Sequence, residues 1–344
     1  MAETPQTTAR SITDVPGIQV GHAHDATALT GCTAILPPPA TVGAVDVRGG
    51  GPGTRETDLL SPVAAVSEVH ALMLCGGSAY GLAAATGAMA WLREQGIGFA
   101  TPAGIVPIVP AAVIYDLAIG QADRWADAAM GYAACAAASS APPAEGNVGV
   151  GMGATVGKAL GADYATKSGV GTWSETLADG TVIGALVVCN AFGEVYTGDT
   201  ILAGVRSPLD NRFVPILHLL RQAELQAQFA GWRGDPPPTP SNTTLAVVAT
   251  TARLSKAETQ KLAQMAHAAL AHTIRPIHTP LDGDTVFALA TGSHPAPHLA
   301  ILGALAVEVL AEAVRRAVRM ASTAAGIPAL SDLLGPDPHG SSSR

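Results

Sequence analysis

Short runs of apolar, often β-branched residues alternate along the chain with turn residues and a few longer amphipathic segments. The short runs predict strands, because Val and Ile favour extended backbone and the lengths suit single strands. The predicted strands are 29–36, 42–47, 69–74, 182–188, 245–250 and 286–290. Apolar spacing and cap residues predict helices at 78–95, at 208–230, from Ser255 onward and at about 297–324.

This order of elements predicts an α/β (α+β) fold in which two sheets lie between helical layers. Periodicity alone equally allows a doubly wound α/β fold, and the chain has no clear internal repeat. Ser78 is expected to cap the first helix, and Ser255 with Glu258 forms a capping box for the third.

Composition narrows the class of protein. The 344 residues are 48% apolar and only 13% charged, which is typical of one large or two medium globular domains. Aromatic residues make up 4% and glycine is abundant, so we expect a core of small residues with close backbone approach. A mean hydropathy of +0.30 with few charges predicts that other subunits cover part of the surface.

Charge and cysteine usage exclude several function classes. A net charge of −8 gives no electrostatic footprint for nucleic acid. The N-terminus has no signal-peptide pattern and no apolar run reaches membrane-spanning length. Four cysteines stand singly, as expected of reduced, buried thiols in a cytoplasmic protein, and are Cys32, Cys75, Cys135 and Cys189.

Two glycine-rich segments are candidates for ligand binding. The segment 144–158 is not a phosphate-binding P-loop, because Met152 and Ala159 stand where that motif needs Gly and Ser or Thr. It also lacks the dinucleotide fingerprint. Its glycines are therefore expected to allow close backbone approach near a site into which Lys158 projects. Taken alone, Lys158 would be a solvated surface lysine. The loop 48–53 either wraps a ligand or is a plain hairpin loop.

The junction after the proline-rich segment 235–240 carries the strongest chemical signal. Proline excludes helix and inner strand, so 235–240 is predicted to be an exposed, semi-rigid linker. Asn242 and Thr243 then stand where the linker becomes a buried strand. A cut between them would give Thr243 a free α-amine beside its own hydroxyl, which pairs base and nucleophile in one residue. The alternative is that Thr243 is only the first residue of a strand.

Five motifs in a fixed order resemble the DmpA-type aminopeptidase family. They are Asp14-Val15-Pro16-Gly17, Ala112-Val113-Ile114-Tyr115-Asp116, Gly151-Met152-Gly153, Asn242-Thr243-Thr244 and Asp282-Gly283-Asp284-Thr285. That family includes L-aminopeptidase/D-esterases, β-peptidyl aminopeptidases and nylon-oligomer hydrolases, and the resemblance runs from about 11 to 325. It implies a four-layer αββα sandwich, of the type shared with ornithine acetyltransferases. It also implies one self-cleavage before a Ser or Thr that becomes an N-terminal nucleophile.

Carried onto this chain, the resemblance places the cut between Asn242 and Thr243. It predicts an α chain of 1–242 and a β chain of 243–344, together one domain, with 335–344 a flexible tail. Asp282 and Asp284 match an acidic pair of the nylon-oligomer branch, where β-peptidyl aminopeptidases have Ser and Glu. This difference leaves the acyl preference open.

The resemblance also assigns roles in the pocket. Thr243 is the nucleophile, Asn190 donates to the oxyanion and Lys158 tunes the charge around the hydroxyl and the amine. Asp284, with Asp282, holds the amine or positions Thr243. Tyr115 matches a substrate-binding residue. Without the resemblance, Asp282-Gly283 is an ordinary tight-turn pair and Asn190 an ordinary turn residue.

The expected function is therefore a self-cleaving N-terminal-threonine hydrolase of amide bonds in small peptides or related oligomers. The resemblance implies no metal or organic cofactor and an assembly (αβ)n, a tetramer or larger. One alternative is an acyltransferase of the ornithine acetyltransferase kind, which also cuts itself before a Thr. The other is a non-catalytic scaffold that stays as one unprocessed chain.

Overall fold

A computed structural model describes residues 10–230 and 242–334. The predicted linker 235–240 and tail 335–344 lie outside the described residues. The α-helices within them are Ala84–Glu94 (α1), Ala128–Ala136 (α2), Ile216–Leu219 (α3), Ala223–Ala230 (α4), Lys256–Thr273 (α5), Leu299–Arg319 (α6) and Leu330–Leu333 (α7). Short 3-10 helices are Ile12–Asp14, Asp58–Leu60, Ser78–Ala83, Gly149–Gly151 and Ala162–Tyr164.

Seventeen strands lie in the same described residues. In chain order they are Gln19–Asp25 (β1), Thr30–Leu36 (β2), Val42–Val47 (β3), Thr54–Arg55 (β4), Leu72–Cys75 (β5), Phe99–Thr101 (β6), Gly104–Val106 (β7), Ala111–Val113 (β8), Thr155–Val156 (β9), Thr166–Lys167 (β10), Val170–Thr176 (β11), Val182–Asn190 (β12), Glu194–Thr197 (β13), Thr200–Ala203 (β14), Thr243–Ala252 (β15), Ile274–Arg275 (β16) and Thr285–His294 (β17).

Two five-stranded sheets form the centre of the fold. The first has the order β1-β2-β5-β8-β4 and the second has the order β11-β12-β15-β17-β3. Each sheet is mostly antiparallel and contains one parallel pair, β5 with β8 and β15 with β17. Smaller sheets pair β14-β13-β16, β9 with β10, and β6 with β7.

Three apolar cores separate four layers. Side chains of both large sheets, such as Leu74 and Val247, meet in a core between the sheets. The outer face of the second sheet packs on α5 and α6, and the outer face of the first packs on α1 and α2. The alternation of inward and outward residues along each strand produces this arrangement. The predicted αββα sandwich is confirmed, and the doubly wound alternative is excluded.

All six strands predicted from the apolar runs are present, with shifts of a few residues at their ends. The capping box at Ser255 is also confirmed, since Ser255 Oγ accepts the N–H of Glu258 and the Glu258 carboxylate accepts the N–H of Ser255. The four cysteines are buried and unpaired, as expected. No helix in the described residues is long and apolar enough to cross a membrane.

Three helix predictions need correction. Ser78 does not cap α1: it has φ of +53°, and its N–H donates to Ile114 O at the start of a 3-10 helix. The segment 208–230 is not one helix, because 208–214 folds back on Val205 and Ser207, and Pro215 confines helical structure to the residues after it. The last long helix spans only Leu299–Arg319.

Helix α2 was not predicted. It is nearly all Ala and small residues, so its sequence has no contrast between apolar and polar faces. Its start is marked by Asp127, whose carboxylate accepts the N–H of Met130 at 2.9 Å.

Candidate active site

The topology of the second sheet brings four chain segments to one edge. Asn190 ends β12 and lies opposite Thr243, which begins β15. Because β15 and β17 are parallel, the residues just before Thr285 lie beside Thr243. Since β3 runs antiparallel to β17, Val47 pairs with Thr285 and the loop 48–53 arrives at the same edge.

The Asn242–Thr243 junction is buried, and the Asn242 carbonyl is held on two sides. Thr243 Oγ1 lies 2.5 Å from Asn242 O, and the N–H of Gly283 donates to the same oxygen at 2.8 Å. The N–H of Asn242 donates to Leu281 O at 2.9 Å. The bond predicted to be cut is therefore fixed against the loop that carries the acidic pair.

Asn190 and Lys158 form a buried hydrogen-bonded unit. Lys158 Nζ donates to Asn190 Oδ1 at 2.7 Å and to Asn190 O at 3.0 Å. Asn190 Oδ1 also accepts the N–H of Thr155, and Asn190 Nδ2 donates to Tyr115 O at 3.0 Å. The amide is thus fixed in one orientation, with one of its two Nδ2 hydrogens used by Tyr115.

Lys158 is fully buried, which corrects the interpretation of this residue as a surface lysine. Burial lowers the pKa of its ammonium from 10.5 to about 7, and the charge of Asp282 opposes that shift. The two hydrogen bonds to Asn190 need only two N–H groups, which an uncharged amine also has. Lys158 can therefore exist as a neutral base near neutral pH.

The two carboxylates of the acidic pair are buried and hydrogen-bonded. Asp282 Oδ1 accepts the N–H of Phe192, and its Oδ2 accepts the N–H and the hydroxyl of Thr279. Burial, with the neighbouring Asp284 carboxylate, raises the pKa of Asp282 to about 6. Asp284 Oδ1 accepts the N–H of Thr244 at 2.8 Å, so this carboxylate holds the residue next to Thr243.

Tyr115 reaches the site through its backbone carbonyl, and its side chain is half-buried. The structure therefore brings the six residues predicted for the site to one edge of the second sheet. Thr243, Asn190 and Lys158 meet there with the two carboxylates, and Tyr115 touches them by its main chain.

Two further buried ionisable side chains, Lys167 and Asp116, lie near these residues and were not assigned a role from the sequence. Lys167 Nζ donates to three carbonyls, those of Gly151, Ala154 and Ser168. Asp116 accepts from Thr30 and from the N–H of Gly77, and burial raises its pKa to about 6. Asp116 stands in one of the family motifs, but Lys167 has no local sequence signal.

The loop 48–53 packs on the loop that carries Asp282 and Asp284. The N–H groups of Arg48 and Gly51 donate to Asp284 O and Asp282 O, and Gly50 N–H donates to Thr279 O. A Cβ on Gly283 would lie 2.7 Å from Gly51 O and 2.8 Å from Thr243 Oγ1. The loop is therefore not a free hairpin loop, because it packs beside Thr243.

Within residues 10–230 and 242–334, no three His, Cys, Asp or Glu side chains are placed to hold a metal ion.

A sequence model of peptidase family S58 matches residues 10–330, nearly the whole chain. The chain belongs to this family. An uncharacterized aminopeptidase of Mycobacterium tuberculosis is 47% identical over 348 residues, covering 94% of this chain and 97% of that protein. A 6-aminohexanoate-oligomer endohydrolase of Kocuria sp. is 31% identical, covering 89% of this chain and 85% of that protein.

The fold agrees with that membership. A solved β-aminopeptidase of a Burkholderia species superposes with a TM-score of 0.67 at 24% identity, covering 95% of this chain and 94% of that one. The resemblance to the DmpA-type family is confirmed. This S58 member is accordingly a hydrolase that acts on peptide or other amide bonds.

Proposed function

We propose that this chain cuts itself between Asn242 and Thr243 and then acts as an N-terminal-threonine aminopeptidase or amidase. The observation that carries the proposal is the 2.5 Å approach of Thr243 Oγ1 to Asn242 O at a buried junction. The alternative is that Thr243 is an ordinary buried residue at the start of β15. The first residue of a strand does not need the set of polar neighbours found near this junction, which includes Gly283, Lys158 and two carboxylates.

In the first reaction, Thr243 Oγ1 attacks the Asn242 carbonyl carbon and the peptide C–N bond breaks. The nitrogen takes up a proton and becomes the α-amine of Thr243, while Asn242 is left as an ester on Oγ1. Water hydrolyses the ester, which releases the Asn242 carboxylate and restores the hydroxyl. The N–H of Gly283 already donates to Asn242 O and would stabilise the negative charge that develops there.

The uncut chain has no free α-amine at Thr243, so the first reaction needs a different base. Lys158 suits this role because its pKa is about 7 and it is bonded to the residue opposite Thr243. Lys158 Nζ would be the acceptor of the Oγ1 proton. Asp284 would keep Thr244, and with it Thr243, in register.

In substrate turnover the freed α-amine takes over as the base. An unperturbed α-amine has a pKa near 8, which suits proton transfer at neutral pH. Oγ1 attacks the amide carbonyl of the substrate and forms an acyl-enzyme, which water hydrolyses. The second hydrogen of Asn190 Nδ2 would donate to the oxyanion with the N–H of Gly283. Tyr115, next to Asn190, would line the substrate pocket.

Small aminoacyl amides and short peptides are the proposed substrates, in line with the aminopeptidase name of the relative that is 47% identical. Short ω-amino-acid oligomers are the second class, because the oligomer endohydrolase is 31% identical. The acidic pair that the sequence shares with the nylon-oligomer branch favours testing both.

We further propose an assembly of several αβ units in a reducing compartment, the cytoplasm. Four apolar side chains on and beside the β6–β7 hairpin are exposed, which would favour burial against another copy, and they are Ile97, Phe99, Ile105 and Val106. The four unpaired, buried cysteines are as expected where disulfides do not form.

The activity is tested by incubating wild type and Thr243→Ala with alanyl-p-nitroanilide and with a 6-aminohexanoate oligomer. Each assay is run with and without an added amine acceptor. We expect hydrolysis of at least one substrate by wild type and none by Thr243→Ala. If transfer to the amine outpaces hydrolysis, the acyltransferase alternative replaces the hydrolase.

A further inference from the structure

A histidine that the proposed reaction does not use holds one of its carboxylates. His278 donates twice to Asp284 Oδ2, from its backbone N–H at 3.0 Å and from Nδ1 at 2.9 Å. The other oxygen, Oδ1, accepts the N–H of Thr244 at 2.8 Å. The Asp284 carboxylate is fully buried, so these donors replace the water that it lost on folding.

The contact fixes the tautomer of His278. A carboxylate only accepts, so Nδ1 carries the hydrogen that is donated to Asp284 Oδ2. Nε2 is buried and has no hydrogen-bond partner within the described residues. The side chain therefore contacts Asp284 through Nδ1, and as a whole it is 20% exposed.

A second histidine packs against this ring from α5. The rings of His267 and His278 lie edge to face, with centroids 4.9 Å apart. His267 Nε2 lies 2.9 Å from Asp46 O at the end of β3. Burial lowers the pKa of His267 to about 4, so it is neutral at physiological pH and adds no charge behind Asp284.

The backbone of His278 is also set for this contact. Its φ is +57°, in the left-handed region that few residues other than glycine adopt without strain. This conformation lets the N–H and Nδ1 of one residue reach the same carboxylate oxygen. Strain of this kind persists where the surrounding contacts demand it, and it occurs at functional sites more often than elsewhere.

We propose that His278 is a positioning residue of the active site. It holds Oδ2 of Asp284 so that Oδ1 stays on the N–H of Thr244 and keeps the nucleophile aligned. His267 fixes the ring of His278 from the outer layer. The proposal rests on the proposed function, since it gives Asp284 a part in that reaction.

The test compares His278→Gly with His278→Asn. Glycine removes the ring, keeps the backbone N–H and relieves the strain at positive φ. Asparagine tolerates the same backbone and offers a side-chain N–H near the place of Nδ1. The control is His70→Asn, because His70 is another buried histidine, bonded through Nδ1 to the N–H of Ile108 away from the site.

Each variant is followed for its rate of self-cleavage by intact mass, for kcat and KM once cut, and for its unfolding temperature. In His278→Gly we expect self-cleavage and kcat to fall roughly 10- to 100-fold, as for a small misplacement of reacting groups, with KM within about threefold. His278→Asn should recover most of the loss, and His70→Asn should cleave and turn over at the wild-type rate.

A folded His278→Gly that cuts and turns over within about twofold of wild type would overturn the proposal. If His278→Gly does not fold, a folded His278→Asn that has lost more than about tenfold in kcat overturns it as well. A wild-type chain that never cuts is a different result, because it removes the proposed function itself. The two failures are therefore distinguishable.

Discussion

Asn190 lies directly opposite Thr243 in the antiparallel pair of β12 and β15. Its side-chain amide is held by Thr155 and Lys158, which lie in one segment, and by the backbone carbonyl of Tyr115 in another. Through this one cross-strand pair, the buried Lys158 is bonded to the residue that lies opposite Thr243. The proposed action of Lys158 on the Thr243 hydroxyl depends on this pairing.

The rate of self-cleavage should depend on pH through Lys158. Burial lowers its pKa from 10.5 to about 7, so about half of Lys158 is in the neutral, basic form at pH 7, and nearly all of it is roughly two pH units higher. We expect the rate to rise roughly tenfold per pH unit below 7 and to level off above it, as for a single general base. Intact mass at intervals, from pH 5 to pH 9, measures this directly.

Two variants separate the charge of Lys158 from its proton transfer. Lys158→Arg stays charged throughout this range and Lys158→Met has no amine, so both should slow self-cleavage by roughly 10²- to 10⁴-fold. Lys261→Met, at an exposed position on α5, serves as the control. A wild-type rate that is flat from pH 5 to pH 9 would rule out Lys158 as the base.

Gly283 should not tolerate a side chain. A Cβ there would lie 2.8 Å from Thr243 Oγ1 and 2.7 Å from Gly51 O, closer than non-bonded carbon can approach. Gly283→Ala is therefore expected to displace either the nucleophile or the N–H that holds Asn242 O, and to leave the chain uncut.

The matched control for this change is Gly51→Ala. Its Cβ would meet only Asp282 O and Pro280 O, both at 3.8 Å, which is ordinary contact. We expect this variant to cut at the wild-type rate when followed by gel and mass. Normal cleavage of Gly283→Ala would show that the fixed carbonyl is not needed for the reaction.

Lys167 should stabilise the segment beneath the site. Lys167→Met leaves the carbonyls of Gly151, Ala154 and Ser168 without their donor in a buried place. We expect the free energy of unfolding to fall by roughly 2–5 kcal/mol. Self-cleavage should also slow, because the same segment carries Thr155, which donates to Asn190.

Stability is best compared in the Thr243→Ala background, so that each variant is one uncut chain in urea or thermal unfolding. Lys261→Met should change the free energy of unfolding by less than about 0.5 kcal/mol, as expected for an exposed side chain. An equally small change for Lys167→Met would mean that the three carbonyls find other donors at no cost.

The sequence predicts those parts of the fold whose signal is local. The six apolar strands and the capping box at Ser255 arise from short-range patterns. Helix α2 could not be predicted from the pattern, because an alanine-rich segment has no polar face. The prediction of one helix over 208–230 was wrong, because Pro215 and the contacts of 208–214 with Val205 prevent a continuous helix despite the helical spacing.

The residues of the candidate site also differ in whether a local sequence pattern predicts them. Thr243 and the acidic pair stand in motifs, so a resemblance is enough to find them. The burial of Lys158, by contrast, comes from strand pairing and layer packing, and its spacing alone indicates a surface residue. Lys167 and His278 act through contacts that depend on the folded chain, and neither has a local pattern that marks it.

The most direct test of the central claim is the intact mass of freshly purified wild type and Thr243→Ala, with N-terminal sequencing of each product. We expect two fragments from wild type, the smaller beginning at Thr243, and a single full-length chain from Thr243→Ala. A wild-type chain that stays whole after prolonged incubation, or fragments that do not begin at Thr243, would contradict it.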